Sequence, residues 1–153
     1  MRNIINLSIG LLLVIVVNSC SNDDECTPVT LGITSLEVAY GCINTPYQMD
    51  IDLSDDFTII RSQTVFNDLV TGDCTPEIDF EAYDLIIGKK GLTNGFDTIN
   101  YDGLVKNCDN GQLYLTVSFV LNATDIAPNV TYHALVPKLA ENEIVNVSIV
   151  TIN

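Results

Sequence analysis

The chain has 153 residues, with six Lys and Arg against twenty Asp and Glu, and a formal net charge of −14 at pH 7. So acidic a chain is unsuited to nucleic acid, whose phosphates demand cations, and to an anionic membrane surface approached through a basic patch. It favours solubility and cationic partners or divalent ions.

Arg2 opens a short positive start, and residues 4–17 are apolar apart from Asn6, Ser8 and Gly10. Fourteen helical residues reach about 21 Å, short of a hydrocarbon core of ~30 Å. The segment therefore reads as a signal-peptide core, and no cluster of Lys or Arg follows to stop transfer. Its end, Val17-Asn18-Ser19-Cys20, resembles a bacterial lipobox. That resemblance implies cleavage before Cys20, lipidation of the Cys20 thiol and acylation of the new N-terminus. More than one acyl chain gives stable anchoring. Asp23, Asp24 and Glu25 follow directly, and resemble the acidic export signal of surface lipoproteins in the Bacteroidetes. The expected address is the outer membrane, lipid-anchored and exposed at the cell surface. An acidic tether would also hold the domain off an anionic surface.

Cleavage removes Arg2, the one charged residue before Cys20, and takes the net charge to −15. The expected organisation is a signal peptide over residues 1–19, an acidic tether over 20–26 and one β-rich extracytoplasmic domain over 27–153. That length suffices for a real core. With Cys20 lipidated, Cys26, Cys42, Cys74 and Cys108 remain, an even set suited to two disulfides outside the cytoplasm. Three connectivities are open. The favoured one is Cys26–Cys42, pinning the N-terminal segment, with Cys74–Cys108 joining two loops that each precede a strand. No Cys pair has the C-x2-C spacing of a zinc site, so no metal is expected there.

Period-2 alternation dominates after residue 30 and predicts half-buried strands. Leu36, Val38 and Tyr40 alternate with Glu37 and Ala39. Met49, Ile51 and Leu53 alternate with Gln48, Asp50 and Asp52. Ser62 is placed to cap a short helix near 63–71 whose face would carry Val65, Phe66, Leu69 and Val70. Residues 83–87 are densely apolar and suit a central strand. Residues 88–91, Gly-Lys-Lys-Gly, lack phosphate-loop spacing and read as a loop. Leu113, Leu115, Val117 and Phe119 form another alternating set, as do Val145, Val147 and Ile149. Thr93-Asn94-Gly95, Asp102-Gly103 and Asp109-Asn110-Gly111 carry hairpin chemistry, while Pro128 and Pro137 punctuate strand ends. The fold expected is mainly β: an antiparallel sheet or meander from residue 83 to the C-terminus, sandwich- or barrel-like, with one short helix.

Catalytic patterns are missing. There is no nucleophile elbow, no G-x-G-x-x-G and no P-loop. His133 is the single histidine, and a lone His in a strand is more often structural than catalytic. Residues 50–56 resemble the start of a calcium loop. They lack the glycine at the sixth position, and Arg61 stands where a bidentate Glu belongs. Asp55 and Asp56 remain the acids to watch for weak Ca²⁺ binding. Acids are plentiful enough for glycoside hydrolysis, but Trp, the best stacking platform for a sugar ring, is absent.

Five stretches carry a family resemblance: Thr58-Ile-Ile-Arg-Ser-Gln; Val65-Phe-Asn-Asp-Leu; Ile78-Asp-Phe-Glu-Ala-Tyr-Asp-Leu-Ile-Ile-Gly88; Gly111-Gln-Leu-Tyr-Leu-Thr-Val; and Tyr132-His-Ala-Leu-Val-Pro-Lys138. Over residues 57–149 they resemble the PrcB-type C-terminal domain. The chain departs from that pattern at Thr131, and at residues 93–96, where Thr-Asn-Gly-Phe replaces Thr-Gly-Gly-Tyr. The resemblance implies a β-rich accessory subunit of a cell-surface protease complex and no catalytic residues. Tyr132 and His133 are the positions it points to for binding. The expected function is a lipid-anchored, non-catalytic surface module with a protein partner and no cofactor; the alternative is a glycan- or small-ligand-binding surface lipoprotein. A hydrolase built on scattered carboxylates ranks last.

Overall fold

The computed structural model describes residues 26–53 and 56–153. Cys20, Asp23, Asp24, Glu25 and Asp55 lie outside the described residues. The order is β1 (Val29–Leu31), α1 (Leu36–Tyr40), α2 (Thr45–Gln48), β2 (Met49–Ile51), β3 (Phe57–Ile60), α3 (Gln63–Leu69) and β4 (Val70–Gly72). Then come β5 (Tyr83–Gly91), β6 (Phe96–Lys106), β7 (Leu113–Leu121), β8 (Asn129–Pro137) and β9 (Val145–Ile152). The protein is mainly β, with three short helices and no closed barrel.

Three sheets form. One has the order β1-β6-β7-β9, one is β3-β5-β8, and β2 pairs with β4 as a two-stranded ribbon. β5 is the central strand expected from its apolar density, paired along its whole length with β8 from Tyr83↔Pro137 to Gly91↔Asn129. Leu85, Ile86 and Ile87 are all fully buried, so both faces of this sheet are covered. Ile86, Val130, Tyr132 and Val136 pack against Leu115, Val117 and Phe119 of the four-stranded sheet. Leu85, Ile87 and Leu135 point the other way, onto Leu36 of α1, Phe66 of α3 and Met49 and Ile51 of β2. Each such fully buried aliphatic side chain stabilises the fold by roughly 1.5–3 kcal/mol. The result is a sandwich of two sheets with a layer of helices and ribbon on its outer side.

Residues 88–91 belong to β5 and are not a loop. Gly88 is required there for close packing. Tyr132 lies opposite it across the ladder, and a Cβ at position 88 would run into the Tyr132 ring and the Asp56 carbonyl oxygen.

The expected meander is corrected. β5 and β6 lie in different sheets, as do β7 and β8, and β9 returns parallel to β7. The reason is the burial of β5 on both faces, which sends it to the middle of a second sheet. Only the turn at residues 109–111 joins neighbouring strands, β6 and β7. Asp102-Gly103 is not a turn; it lies inside β6 at a register shift between Tyr101 and Leu104, with Gly103 at φ 89°.

Leu36–Tyr40 is a helix, not the strand its alternation predicts. The Ser35 side chain accepts the Val38 N–H, and Gly41, at φ 70°, closes the C-terminus in the left-handed conformation. Only Leu36 is buried, while Val38 is 81% exposed. Capping at both ends outweighs a three-residue alternation. The helix capped by Ser62 is present as α3. Its face is narrower than expected: Phe66 is buried, Val65 and Leu69 are exposed, and Val70 is buried in β4 instead.

The disulfides join Cys26 to Cys108 and Cys42 to Cys74. This replaces the expected pairs, Cys26–Cys42 and Cys74–Cys108. The antiparallel register Val29↔Lys106 brings the chain before β1 beside the chain after β6. The register Met49↔Gly72 likewise brings the start of β2 to the end of β4.

An ion cluster around one buried carboxylate, with partly exposed cations, ties together the ends of β3, β5 and β8. Asp84 is fully buried, and its carboxylate accepts from Lys138 Nζ at 2.6 Å and from the Leu139 N–H at 3.1 Å, with Arg61 Nε at 3.6 Å. Removing a cation leaves a buried carboxylate short of a partner. Lys138→Ala is expected to lower the unfolding free energy by about 1–2 kcal/mol at pH 7, less than for a fully buried pair because Lys138 is partly exposed and Arg61 remains. Urea denaturation measures this, and a change below about 0.5 kcal/mol would contradict the assignment.

Candidate functional site: a groove beside the edge of the four-stranded sheet

His133 sits in β8 with its side chain 3% exposed. Its Nε2 lies 2.7 Å from Thr45 Oγ1 and 3.4 Å from Glu37 Oε2. The Thr45 hydroxyl donates to Glu37 Oε1. With that proton committed, the hydroxyl can only accept from Nε2, which must therefore carry hydrogen. The backbone N–H of His133 donates to the Tyr101 hydroxyl at 3.1 Å. His133 Nδ1 is buried without a hydrogen-bond partner among the described residues.

Local structure explains the assembly. α1 carries Glu37 and α2 begins at Thr45, with Pro46 in its first turn. Both helices pack beside β8, and the Thr131 hydroxyl of β8 donates to the Met49 carbonyl just after α2. Burial raises the pKa of Glu37, but hydrogen bonds from His133 and Thr45 outweigh it and hold the carboxyl at about 2, below its ordinary 4.5. Burial pushes the Tyr101 phenol above its usual range, against the opposing hydrogen bond from His133.

These groups line a cavity of about 500 Å³, whose other walls include Tyr47, Phe96 and Asp97. The Tyr47 and Phe96 rings stack with centroids 5.7 Å apart at an interplanar angle of 24°. A second cavity of about 490 Å³, bordered by Val38, Asn100 and Ala134, shares Ser35, Ile99, Tyr101 and His133 with the first. The two cavities adjoin at those four residues, and the pair constitutes the groove.

The arrangement differs from an acyl-transfer triad. There the carboxylate orients the imidazole from the nitrogen opposite the nucleophile. Here hydroxyl and carboxylate share Nε2, and Thr45 is only 1% exposed. The cluster is built to hold α1 and α2 against β8.

Of the residues singled out in sequence, His133 reaches the groove and Tyr132 does not. Tyr132 is on the opposite face of β8, edge-on to Phe119 at 6.3 Å. Asp50 pairs with Lys89 at 2.6 Å, and the Asp56 carboxylate accepts the Phe57 N–H. Glu37, Thr45 and Tyr101 were not legible as site residues. Thr45-Pro46 is a helix-start signal, but nothing local links it to a histidine 88 positions away. No helix among the described residues is long and apolar enough to cross a membrane. Comparisons with protein-family models, curated proteins and solved structures gave no match to this chain.

The Glu37 carboxyl titrates lower in the folded protein than in the unfolded chain. Its contribution to stability is therefore complete above about pH 4.5 and is lost as pH falls through about 2. Glu37→Gln should melt below the wild type at pH 6, with the gap narrowing below pH 4.5 and nearly closed at pH 2. Melting temperatures across that range check this, and a constant gap would contradict it.

Proposed function

We propose that this chain is a lipid-anchored cell-surface protein whose β-rich domain is a non-catalytic interaction module, held to the outer membrane through Cys20. The observation that carries the interaction reading is the groove itself. It is open, it presents a stacked aromatic pair with Tyr47 56% exposed, and its hydroxyl and imidazole are buried in a structural network. Such a surface suits recognition rather than bond cleavage. Two disulfides fit an oxidising location. Accessory membership of a surface protease complex, the role implied by the PrcB-type resemblance, is the form of this reading to test first. A second reading, a glycan- or small-ligand-binding lipoprotein, is favoured by Tyr47 standing beside Asn44 and Asp97 in the same groove.

Both readings share the anchor. Cys20→Ala is expected to abolish lipid labelling and release the protein from membranes. Replacing Asp23, Asp24 and Glu25 with Ala is expected to shield it from protease added to whole cells. Persistent labelling would refute the anchor, and unchanged accessibility would refute the export signal. On gel filtration of detergent-solubilised membranes, the protein should co-elute with a partner subunit. Elution of the chain by itself would remove the interaction reading.

A further inference from the structure

Phe96, Asp97, Thr98, Ile99 and Tyr101 all border the first cavity, and Asn100 borders the second. Side chains of a strand alternate between its two faces. The ladder shifts register between Phe96 and Thr98, but from Thr98 to Tyr101 it is regular. Those four consecutive residues, from both faces of β6, border the two cavities, which therefore meet the strand's edge, where backbone N–H and C=O groups point. β7 occupies one edge of β6. On the other, β1 pairs only with Leu104, Val105 and Lys106, and then the chain leaves for the other sheet, where Thr34 bridges to Leu135. Among the described residues, no strand pairs with this edge from Thr98 to Tyr101. An open edge of this kind is a template for another strand.

The groove also has a charge preference. Glu37 and Asp97 border it, and neither Lys nor Arg does. Asp97 accepts from the neutral Asn122 amide and, among the described residues, forms no ion pair with Lys or Arg. Tyr47, more than half exposed on its stack with Phe96, offers an aromatic face to a cation. His133 borders both cavities, and its buried Nδ1 has no hydrogen-bond partner among the described residues.

We propose that this groove receives an extended, lysine- or arginine-bearing segment of a partner protein, which pairs with β6 and continues the row that β1 begins. This rests on the interaction-module reading and names the chemistry of the partner. Six residues of strand span about 20 Å, so a peptide of that size is enough.

The test uses the full chain in detergent and a capped octapeptide alternating Lys and Val, with calorimetry as the readout. The Lys peptide should bind, and a counterpart with Glu for Lys should not. N-methylation of alternate amides should weaken binding about tenfold in one register and little in the other, because one edge of the peptide faces β6. Asp97→Asn should weaken binding roughly threefold, and Val150→Asp, on the far edge strand β9, should leave it unchanged. Equal binding of the Glu peptide, indifference to N-methylation in both registers, or loss of binding through Val150→Asp would overturn the proposal. A partner complex recovered from membranes, with no Lys peptide bound, would overturn the groove assignment and leave the module reading standing.

Discussion

The rest of the structure depends on burying both faces of one sheet. β5 and β8 are hydrogen-bonded over nine residues, and β8 is buried from Val130 to Val136 without a break. A strand with no wet face needs a layer on each side. The four-stranded sheet supplies one. Three short helices and the β2–β4 ribbon supply the other. None of those helices exceeds seven residues, so each owes its stability to packing against the sheet more than to its own propensity.

The polar groups follow from that arrangement. Burying β8 on both faces also buries whatever polar side chains it carries, and each needs a partner. Thr131 finds the Met49 carbonyl, and His133 finds Thr45 and Glu37. The N–H of His133, on the outer edge of β8, finds the Tyr101 hydroxyl from the other sheet. At the far end of β5, Asp84 is held by Lys138 and Arg61. These contacts fix how the helical layer and the four-stranded sheet sit around β8. They leave the outer edge of β6 facing the gap between them, and that gap is the groove.

The sequence was readable where one physical signal stood clear of others. Residues 113–119 alternate over seven positions, and Leu113, Leu115, Val117 and Phe119 are all buried. Residues 83–87 carry adjacent apolar side chains, and both faces of β5 are covered. Residues 36–40 failed because three apolar positions are too few to separate period 2 from a single helical turn; Ser35 and Gly41 held the better information. The disulfide pairs and the meander failed for a shared reason. Both depend on which strands become neighbours, and that follows from the double burial of β5, a tertiary effect. His133 was legible as the single histidine, whereas Glu37 looked like the wet side of a strand and Tyr101 belonged to no pattern that singled it out. Their meeting is a product of the three layers, not of local pattern.

The doubly buried sheet organises the fold and, among the described residues, leaves β6 paired on one edge only between Thr98 and Tyr101. Amide hydrogen exchange on the free protein tests it most directly. The amides of β5 and β8 should exchange only through global unfolding. Within β6, every second amide from Thr98 to Tyr101 should exchange through local opening, far faster than those bonded between Leu104–Lys106 and β1. Uniform strong protection along β6, or rapid exchange in β5, would contradict the account.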